Sequence, residues 1–134
     1  MPDVLELEIA TPERLLVREE ITEVQLPGKN GYLGILPGHA PLLSELGTGL
    51  LTYKVGGRKR SLSLQGGFVE VLPGNVRVLA NVAEPAEEID IERARADLQR
   101  AEKEVFNPAL GVDPAVALDA MAWARARLEA KEHK

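Results

Sequence analysis

The stretch AEPAEEIDIERARADLQRAE, residues 83–102, marks the point at which the chain changes from one sequence pattern to another. Residues 1–83 hold eleven of the twelve glycines, whereas the rest of the chain holds one glycine and twelve of the sixteen alanines. Charge also changes, from 9 acidic and 8 basic residues in the first part to 12 and 8 in the second. This shift predicts two units of different architecture, residues 1–84 and residues 85–134.

The first unit alternates between apolar and polar side chains, as strands with one buried face do. Leu5, Leu7 and Ile9 alternate with glutamates, and Leu62 and Leu64 alternate with serines. Turn sequences separate such runs at short intervals: Pro27-Gly28, Lys29-Asn30-Gly31, Gly56-Gly57, Gly66-Gly67 and Pro73-Gly74-Asn75. The pattern predicts an antiparallel β-sandwich or barrel.

The second unit contains two narrow apolar repeats with helical spacing. Their members are Ile91, Ala94, Leu98, Ala101 and Val105, and then Ala117, Met121, Ala124 and Leu128. Asp90 and the pair Asp113-Pro114 are helix start signals, and the intervening NPALGVDP contains helix stoppers. The short link predicts an antiparallel helical hairpin. Because alanine buries little area at roughly 25 cal/mol per Å², we expect a marginally stable hairpin that opens at modest cost.

Composition excludes several classes of function. The chain has no cysteine, a net charge of −5 and 4% aromatic residues, whereas nucleic-acid binders usually show a basic face and stacking aromatics. Its one basic cluster, Arg58-Lys59-Arg60, follows two glycines and is interpreted as a solvated turn. No apolar run approaches the roughly 20 residues of a membrane span, and the acidic N-terminus is not expected to be a secretory signal.

Catalytic and metal-binding patterns are also missing from the sequence. The two histidines, His39 and His133, stand far apart, and no HExxH, CxxC or glycine-rich phosphate motif occurs. We therefore expect no metal site and no catalytic residues. Two other hypotheses stay open on the residues alone: a free-standing ligand-binding sandwich with a helical oligomerisation tail, and a small enzyme with an unrecognised carboxylate pair.

Residues 33–43, LGILPGHAPLL, predict a stiff loop rather than a reactive histidine. Pro37 and Pro41 fix their own φ angles and restrict the residues before them, while Gly38 permits a tight turn. His39 has no acid–base partner nearby in the sequence and is interpreted as a hydrogen-bonded structural residue.

Arginines of the second unit form a weak geometric pattern. Asp90, Arg93 and Arg100 lie near one face of the first helix, and Arg125 and Arg127 lie on the returning helix. Planar guanidinium groups suit phosphate recognition, so a folded hairpin brings together the elements of an anion pocket.

These motifs together resemble the epsilon subunit of the F-type ATP synthase. The resemblance covers essentially the whole chain and depends on GYLGILPGHAPLL at 31–43, LQGGFVEVLPGNVRVLA at 64–80 and IDIERA at 89–94. It implies a sandwich of about ten short antiparallel strands, followed by an antiparallel two-helix hairpin. It also implies a non-catalytic rotor subunit that helps to couple proton or sodium flow to ATP synthesis.

The resemblance further implies partners and a location. The sandwich would contact the gamma subunit and the c-subunit ring, and the complex would hold the chain peripherally at the cytoplasmic face of the bacterial inner membrane. The hairpin would switch between a docked form and an extended form that reaches the alpha and beta subunits and inhibits ATP hydrolysis. No cofactor is required, and ATP would be a regulatory ligand.

Two sets of site residues follow from the same resemblance. The interface with the c-ring and gamma maps to Lys29, Asn30, Gly31, Tyr32, His39, Pro41 and Leu42. Many relatives carry an acidic residue in place of Tyr32, so an aromatic anchor is expected here instead of a charged contact. The ATP site maps to Glu84, Ile89, Asp90, Arg93, Arg100 and Arg127. Trp123 stands where the family has another arginine, and losing one such contact predicts weaker ATP binding.

Overall fold

A computed structural model describes residues 3–132 of the chain. Seven strands form one hydrogen-bonded sheet in the order β2-β1-β7-β6-β5-β3-β4. Their bounds are β1 Leu5–Ala10, β2 Leu15–Ile21, β3 Glu23–Gly28, β4 Gly31–Ile35, β5 Leu42–Val55, β6 Arg58–Leu72 and β7 Asn75–Pro85. Every neighbouring pair is antiparallel except β1 and β7, which run parallel.

In the middle of this sheet, the three long strands β5, β6 and β7 change which of their sides faces the core. On β6, Leu62 and Leu64 face the core, and so do Val69 and Val71. The step from residue 64 to residue 69 is an odd number, so the buried side of the strand changes between them. β5 and β7 reverse at the same level, because their pairing with β6 keeps one register throughout. The single sheet therefore folds over itself into a sandwich, with β2 against β5.

Gly67 permits this reversal. Its φ is +122°, and a Cβ at this position would lie 2.1 Å from the carbonyl oxygen of Leu79 on the neighbouring strand. Only glycine tolerates both the dihedral angle and the close approach. The expected sandwich is confirmed with seven strands instead of about ten, because β5, β6 and β7 continue through the reversal as single strands.

The sandwich core consists of large aliphatic side chains. Those that are almost fully enclosed include Leu5, Leu7, Ile9, Ile21, Val24, Leu26, Ile35, Leu51, Leu62, Leu64, Val69, Val71, Val76 and Val78. They come from strands across the sheet, so the core lies between its two folded halves. Burial of such side chains contributes about 1.5–3 kcal/mol each, which makes this core the main source of stability.

The predicted helical hairpin is present and begins at the predicted caps. Helix α1 spans Ile91–Phe106 and helix α2 spans Pro114–Glu132. The Asp90 carboxylate accepts the N–H of Arg93 at 3.1 Å, and the Asp113 carboxylate accepts the N–H of Ala115 at 2.8 Å. Each contact satisfies one of the N–H groups that a helix start leaves without a partner.

The two helices stack on the sandwich as successive layers. Helix α2 contacts β5 and β6 on one side and α1 on the other, while α1 packs mainly against α2. The seam is small, since its fully buried members are Ala94, Ala101, Ala117 and Ala124. On the sandwich side, Ala130 packs with Ala86, Ile89 and the half-buried Leu50. The hairpin is thus attached through one helix and few large side chains.

A one-turn 3₁₀ helix, Ala86–Glu88, joins β7 to α1. The predicted division between residues 84 and 85 falls within the last residues of β7, and as a domain boundary it stays a prediction. Across residues 3–132, neither helix combines the length and the apolar character that a bilayer crossing requires.

Candidate functional site

The β3–β4 turn and the first two residues of β4 contain four of the predicted interface residues. The Lys29 ammonium lies 3.2 Å from the Glu45 carboxylate, and the Lys29 N–H donates to the Glu45 carbonyl at 3.1 Å. Asn30 completes the turn, and Gly31 follows it at φ +132°. This tip is therefore fastened to the neighbouring β5.

Tyr32 does not project freely from the tip. The residue is 63% exposed, yet its hydroxyl accepts the backbone N–H of Leu50 at 3.0 Å. A Cβ at Gly49 would lie 2.7 Å from the same oxygen, so glycine at that position makes the contact possible. The ring presents an aromatic surface whose polar end is already satisfied within the chain.

The loop that carries His39 is held by local hydrogen bonds. The N–H of His39 donates to the Leu36 carbonyl at 3.0 Å, and Pro37 with Gly38 at φ +90° forms the intervening type II turn. The Nδ1 of His39 lies 2.6 Å from the Ala40 carbonyl oxygen, so Nδ1 carries the proton that it donates. His39 and Pro41 are exposed, and the half-buried Leu42 begins β5.

Within residues 3–132, no cluster of three or more potential ligands has metal-binding geometry. His133, the other histidine considered from the sequence, lies outside the described residues.

An exposed apolar row, which the sequence did not reveal, crosses the outer face of the sheet. Phe68 pairs with Leu79, Leu79 with Ala10, and Ala10 with Leu15 across four neighbouring strands. Leu15, Phe68 and Leu79 are each more than half exposed. We call these three residues the apolar row. The available signal was apolar residues at the alternate positions of these strands that face outward. The sequence does not show, however, that the buried side of β6 changes at Gly67.

Four of the six predicted ATP-site residues line one open depression of about 530 Å³. They are Glu84, Asp90, Arg93 and Arg127. Ile89 instead belongs to the small apolar cluster beneath α2. Arg100 is not among the lining residues, and its guanidinium lies 2.8 Å from the Asp97 carboxylate. Asp97, Trp123, Val82 and Glu88 complete the lining.

Arg127 is the buried centre of this depression. The residue is 8% exposed; its Nε lies 2.8 Å from a Glu84 carboxylate oxygen, and its NH1 lies 3.4 Å from Asp97. Its guanidinium carbon lies 5.9 Å from the centre of the Trp123 ring, within the range of a cation–π contact. The sequence predicted Arg127 but not Asp97. The available signal for Asp97 was its position three residues before Arg100.

The charge of the depression is unfavourable for a free polyanion. Four carboxylates line it, those of Glu84, Glu88, Asp90 and Asp97, against two arginines. Arg93 makes no ion pair with any described side chain. Arg125 does not replace the arginine missing at Trp123, because it is half-exposed and lies 4.0 Å from Glu102.

Polar contacts outside this depression also hold α2 on the sandwich. The Asp119 carboxylate accepts from the Gln65 amide at 2.9 Å and from the Thr48 hydroxyl at 3.4 Å. The Lys131 ammonium donates to the Ala86 carbonyl at 3.1 Å. The docked helix is thus positioned by side chains along its length, none of which the sequence patterns had predicted.

Comparison with known proteins gives a consistent result across the chain. The family described as "ATP synthase, Delta/Epsilon chain, beta-sandwich domain" matches residues 4–86. The ATP synthase epsilon chain of Solibacter usitatus is 66% identical over 134 residues, which cover 100% of both chains. The chain belongs to the ATP synthase delta/epsilon family. The epsilon chain of Koribacter versatilis is 52% identical over 103 residues, 77% of this chain and 72% of that relative.

Solved structures extend the comparison to the whole fold. A chain from the Euglena gracilis mitochondrial ATP synthase, in a structure of OSCP, F1 and the c-ring, matches with a TM-score of 0.83 at 27% identity. The match covers 99% of this chain and 84% of that one. A chain from the Tetrahymena thermophila mitochondrial ATP synthase central stalk and c-ring has a TM-score of 0.61 at 17% identity and shows the fold alone. The expected family is confirmed: the chain is an epsilon-type subunit and is not itself catalytic.

Proposed function

We propose that this chain is a rotor subunit in the central stalk of a bacterial F-type ATP synthase. In this role it helps to couple ion flow through the c-ring to ATP synthesis. The observation that carries the proposal is the 66% identity to an epsilon chain over all 134 residues, sandwich and hairpin alike. The complex would hold the chain peripherally at the cytoplasmic face of the inner membrane.

Two surfaces of the sandwich are proposed as its rotor contacts. The apolar row and the loop with His39 and Pro41 would pack on the gamma subunit, since exposed apolar patches mark protein interfaces. Leu42 follows this loop and is half-buried against the sandwich core, so it would support the contact from beneath. The tip formed by Lys29, Asn30, Gly31 and Tyr32 would contact the c-ring, with the Tyr32 ring as its apolar part.

The gamma contact is tested by co-elution of the full chain with purified gamma. Phe68→Glu places a charge at the β6 end of the apolar row and should weaken binding at least tenfold, because the charge must be desolvated on association. Leu118→Glu, at a residue that is 50% exposed on α2, is the matched control and should leave binding unchanged. Equal binding by both variants would remove the apolar row from the interface.

The hairpin is proposed to inhibit ATP hydrolysis when it leaves the sandwich and extends toward the alpha and beta subunits. Its docking through alanines and a few polar contacts is consistent with such a switch, because a partner shifts an equilibrium only by its differential affinity. Deletion of residues 90–134 in the assembled complex should accelerate ATP hydrolysis without preventing assembly. If the truncated complex hydrolyses ATP no faster than the full complex, the inhibitory role is wrong, while the rotor role stands on its own evidence.

We also propose ATP as a weak regulatory ligand of the depression, not as a substrate or a required cofactor. Arg93 and the Trp123 ring favour this proposal, because they offer a guanidinium that pairs with no carboxylate of residues 3–132 and a surface on which a purine ring stacks. Calorimetric titration with ATP should give weak binding that Arg93→Gln abolishes and Arg95→Gln preserves. Arg95 is a suitable control because it is exposed on the same helix and pairs with Glu92. Absence of heat at about millimolar ATP would contradict the proposal.

A further inference from the structure

Arg127 is the point at which three elements of the fold meet. It lies on α2, and its guanidinium contacts Glu84 of β7 and Asp97 of α1. The other arginines of the hairpin that form ion pairs, Arg95, Arg100 and Arg125, keep 60%, 67% and 54% of their side chains exposed. The Arg127 side chain keeps 10%. Its pairing therefore ties the sandwich to both helices in a way that no exposed ion pair does.

The burial of the Arg127 guanidinium is the reason why this contact should affect the docking of the hairpin strongly. If the arginine is removed while the hairpin stays docked, the Glu84 and Asp97 carboxylates, whose side chains are 30% and 26% exposed, keep partly desolvated charges without a counter-charge, which costs far more than breaking an exposed pair. The facing atoms, Nε of Arg127 and Oε1 of Glu84, are themselves buried and make no aligned hydrogen bond. The attraction between them is thus mainly that of opposite charges at two atoms that are shielded from solvent.

The remaining attachment of the hairpin is weak by comparison. The apolar contact with the sandwich centres on the small side chain of Ala130, which packs with Ala86, Ile89 and Leu50 and buries little area. The contacts of Asp119 with Gln65 and Thr48 are hydrogen bonds of exposed groups. Loss of the buried ion pair should consequently shift the docking equilibrium more than loss of any exposed polar contact.

We propose that Arg127 is a clasp that keeps the hairpin docked with no nucleotide bound. Glu84 and Asp97 supply the negative charge that an anionic ligand would otherwise supply to this arginine. The docked hairpin is then a property of the chain's own charges, and an anion that binds Arg127 must compete with two carboxylates. The effect of the clasp on ATP hydrolysis rests on the proposed function, whereas its effect on docking does not.

Hydrogen exchange of the full chain in nucleotide-free buffer tests the clasp. Arg127→Gln should lower the protection of α2 amides about ten- to a hundredfold relative to the wild-type chain. Arg125→Gln makes the same chemical change two residues away, at an exposed pair of 4.0 Å, and should change protection less than about threefold. Amides of the sandwich core should keep their protection in both variants, which shows that the fold survives.

A second variant distinguishes the loss of the ion pairs from a local packing defect at position 127. Glu84→Gln combined with Asp97→Asn keeps the arginine and removes both negative charges, so it should also release α2. Arg127→Lys keeps the charge without the planar fork and should restore part of the protection. The proposal is overturned if the double variant retains wild-type protection, or if Arg127→Gln and Arg125→Gln behave alike.

Distance measurements give an independent readout of docking. Since the chain has no cysteine, nitroxide labels can be placed at Lys59→Cys on the sandwich and Lys103→Cys on α1. Arg127→Gln should add a population at longer distance that Arg125→Gln lacks; identical distributions would overturn the clasp. In the assembled complex Arg127→Gln should slow ATP hydrolysis. If Arg127→Gln undocks the hairpin but deletion of residues 90–134 does not accelerate ATP hydrolysis, the inhibitory role is wrong. The proposed role of Arg127 in docking is unaffected by that result.

Discussion

The sandwich and the hairpin are built from side chains of different size, and this difference separates a rigid unit from a detachable one. The sandwich encloses leucine, isoleucine and valine from strands across one sheet, whereas the fully buried seam positions of the hairpin are alanines. At about 25 cal/mol per Å² of apolar surface, the hairpin gains far less from packing. Its position therefore depends on polar contacts that variants and ligands are able to change.

The largest expected effect lies in the sandwich core. Leu64 is fully buried on β6, and Leu64→Ala should lower the free energy of unfolding by about 2–5 kcal/mol, because the cavity cannot collapse between two sheet layers. Chemical denaturation of the full chain measures this. Leu118→Ala, at a half-exposed site on α2, should change it by less than about 0.5 kcal/mol. Similar losses in the two variants would contradict the contrast between sandwich and hairpin.

A pair of glycines sharpens the comparison. Gly67 and Gly111 both have positive φ, but a Cβ at Gly67 would meet the Leu79 carbonyl at 2.1 Å, while Gly111 has nothing within 4 Å. Gly111→Ala should cost about 1–2 kcal/mol from the dihedral angle alone. Gly67→Ala adds overpacking and should cost about 3 kcal/mol. Thermal unfolding of both variants gives the difference, and equal costs would show that the strands adjust around a methyl group.

A smaller effect is expected at the start of α2. The Asp113 carboxylate accepts the N–H of Ala115 at 2.8 Å, and Asp113→Ala should destabilise the helix by about 1 kcal/mol. Hydrogen exchange should show faster exchange confined to the hairpin. The isosteric Asp113→Asn keeps an accepting oxygen and should lose less. Faster exchange in the sandwich core as well would mean that the two regions unfold as one cooperative unit.

The last effect is absent at neutral pH and appears only in alkaline solution. Burial, with the carboxylate of Glu19 as a further cause, raises the pKa of Tyr53 in the sandwich from 10.0 to about 12. The folded chain holds the phenolic proton more tightly than the unfolded chain, so this contribution to stability is complete below pH 10 and is lost as the pH rises to about 12. Denaturation of the wild-type chain and Tyr53→Phe across this range should show the extra loss in the wild type alone. Parallel curves would contradict the shift.

The elements of the fold were predictable from local patterns, and their arrangement was less so. Alternating apolar residues identified the strands, and Asp90 and Asp113 identified the helix starts, because these signals act within a few residues. The parallel pairing of β1 with β7 and the joint reversal of three strands depend on contacts far apart in sequence. A strand count based on resemblance consequently came out too high.

The candidate site divides in the same way. The motif around Asp90 and Arg93 predicted residues that do line one depression. The partners of Arg127 come from β7 and α1 and depend on how the hairpin docks, so no spacing along the chain indicates the set. Tyr32 shows the same limit. Its hydroxyl accepts the N–H of Leu50 on β5, and β5 does not pair with β4, the strand that carries Tyr32.

The parallel pair of β1 and β7 also sets the order in which this chain can fold during synthesis. β1 lies between β2 and β7, so Leu5–Ala10 cannot complete its hydrogen bonding until Asn75–Pro85 has left the ribosome. Contacts between residues this distant close slowly, and the first strand stays an open edge in the meantime. The glutamates of β1, Glu6 and Glu8, then protect the nascent chain, because charged side chains on an unpaired edge discourage pairing with other chains.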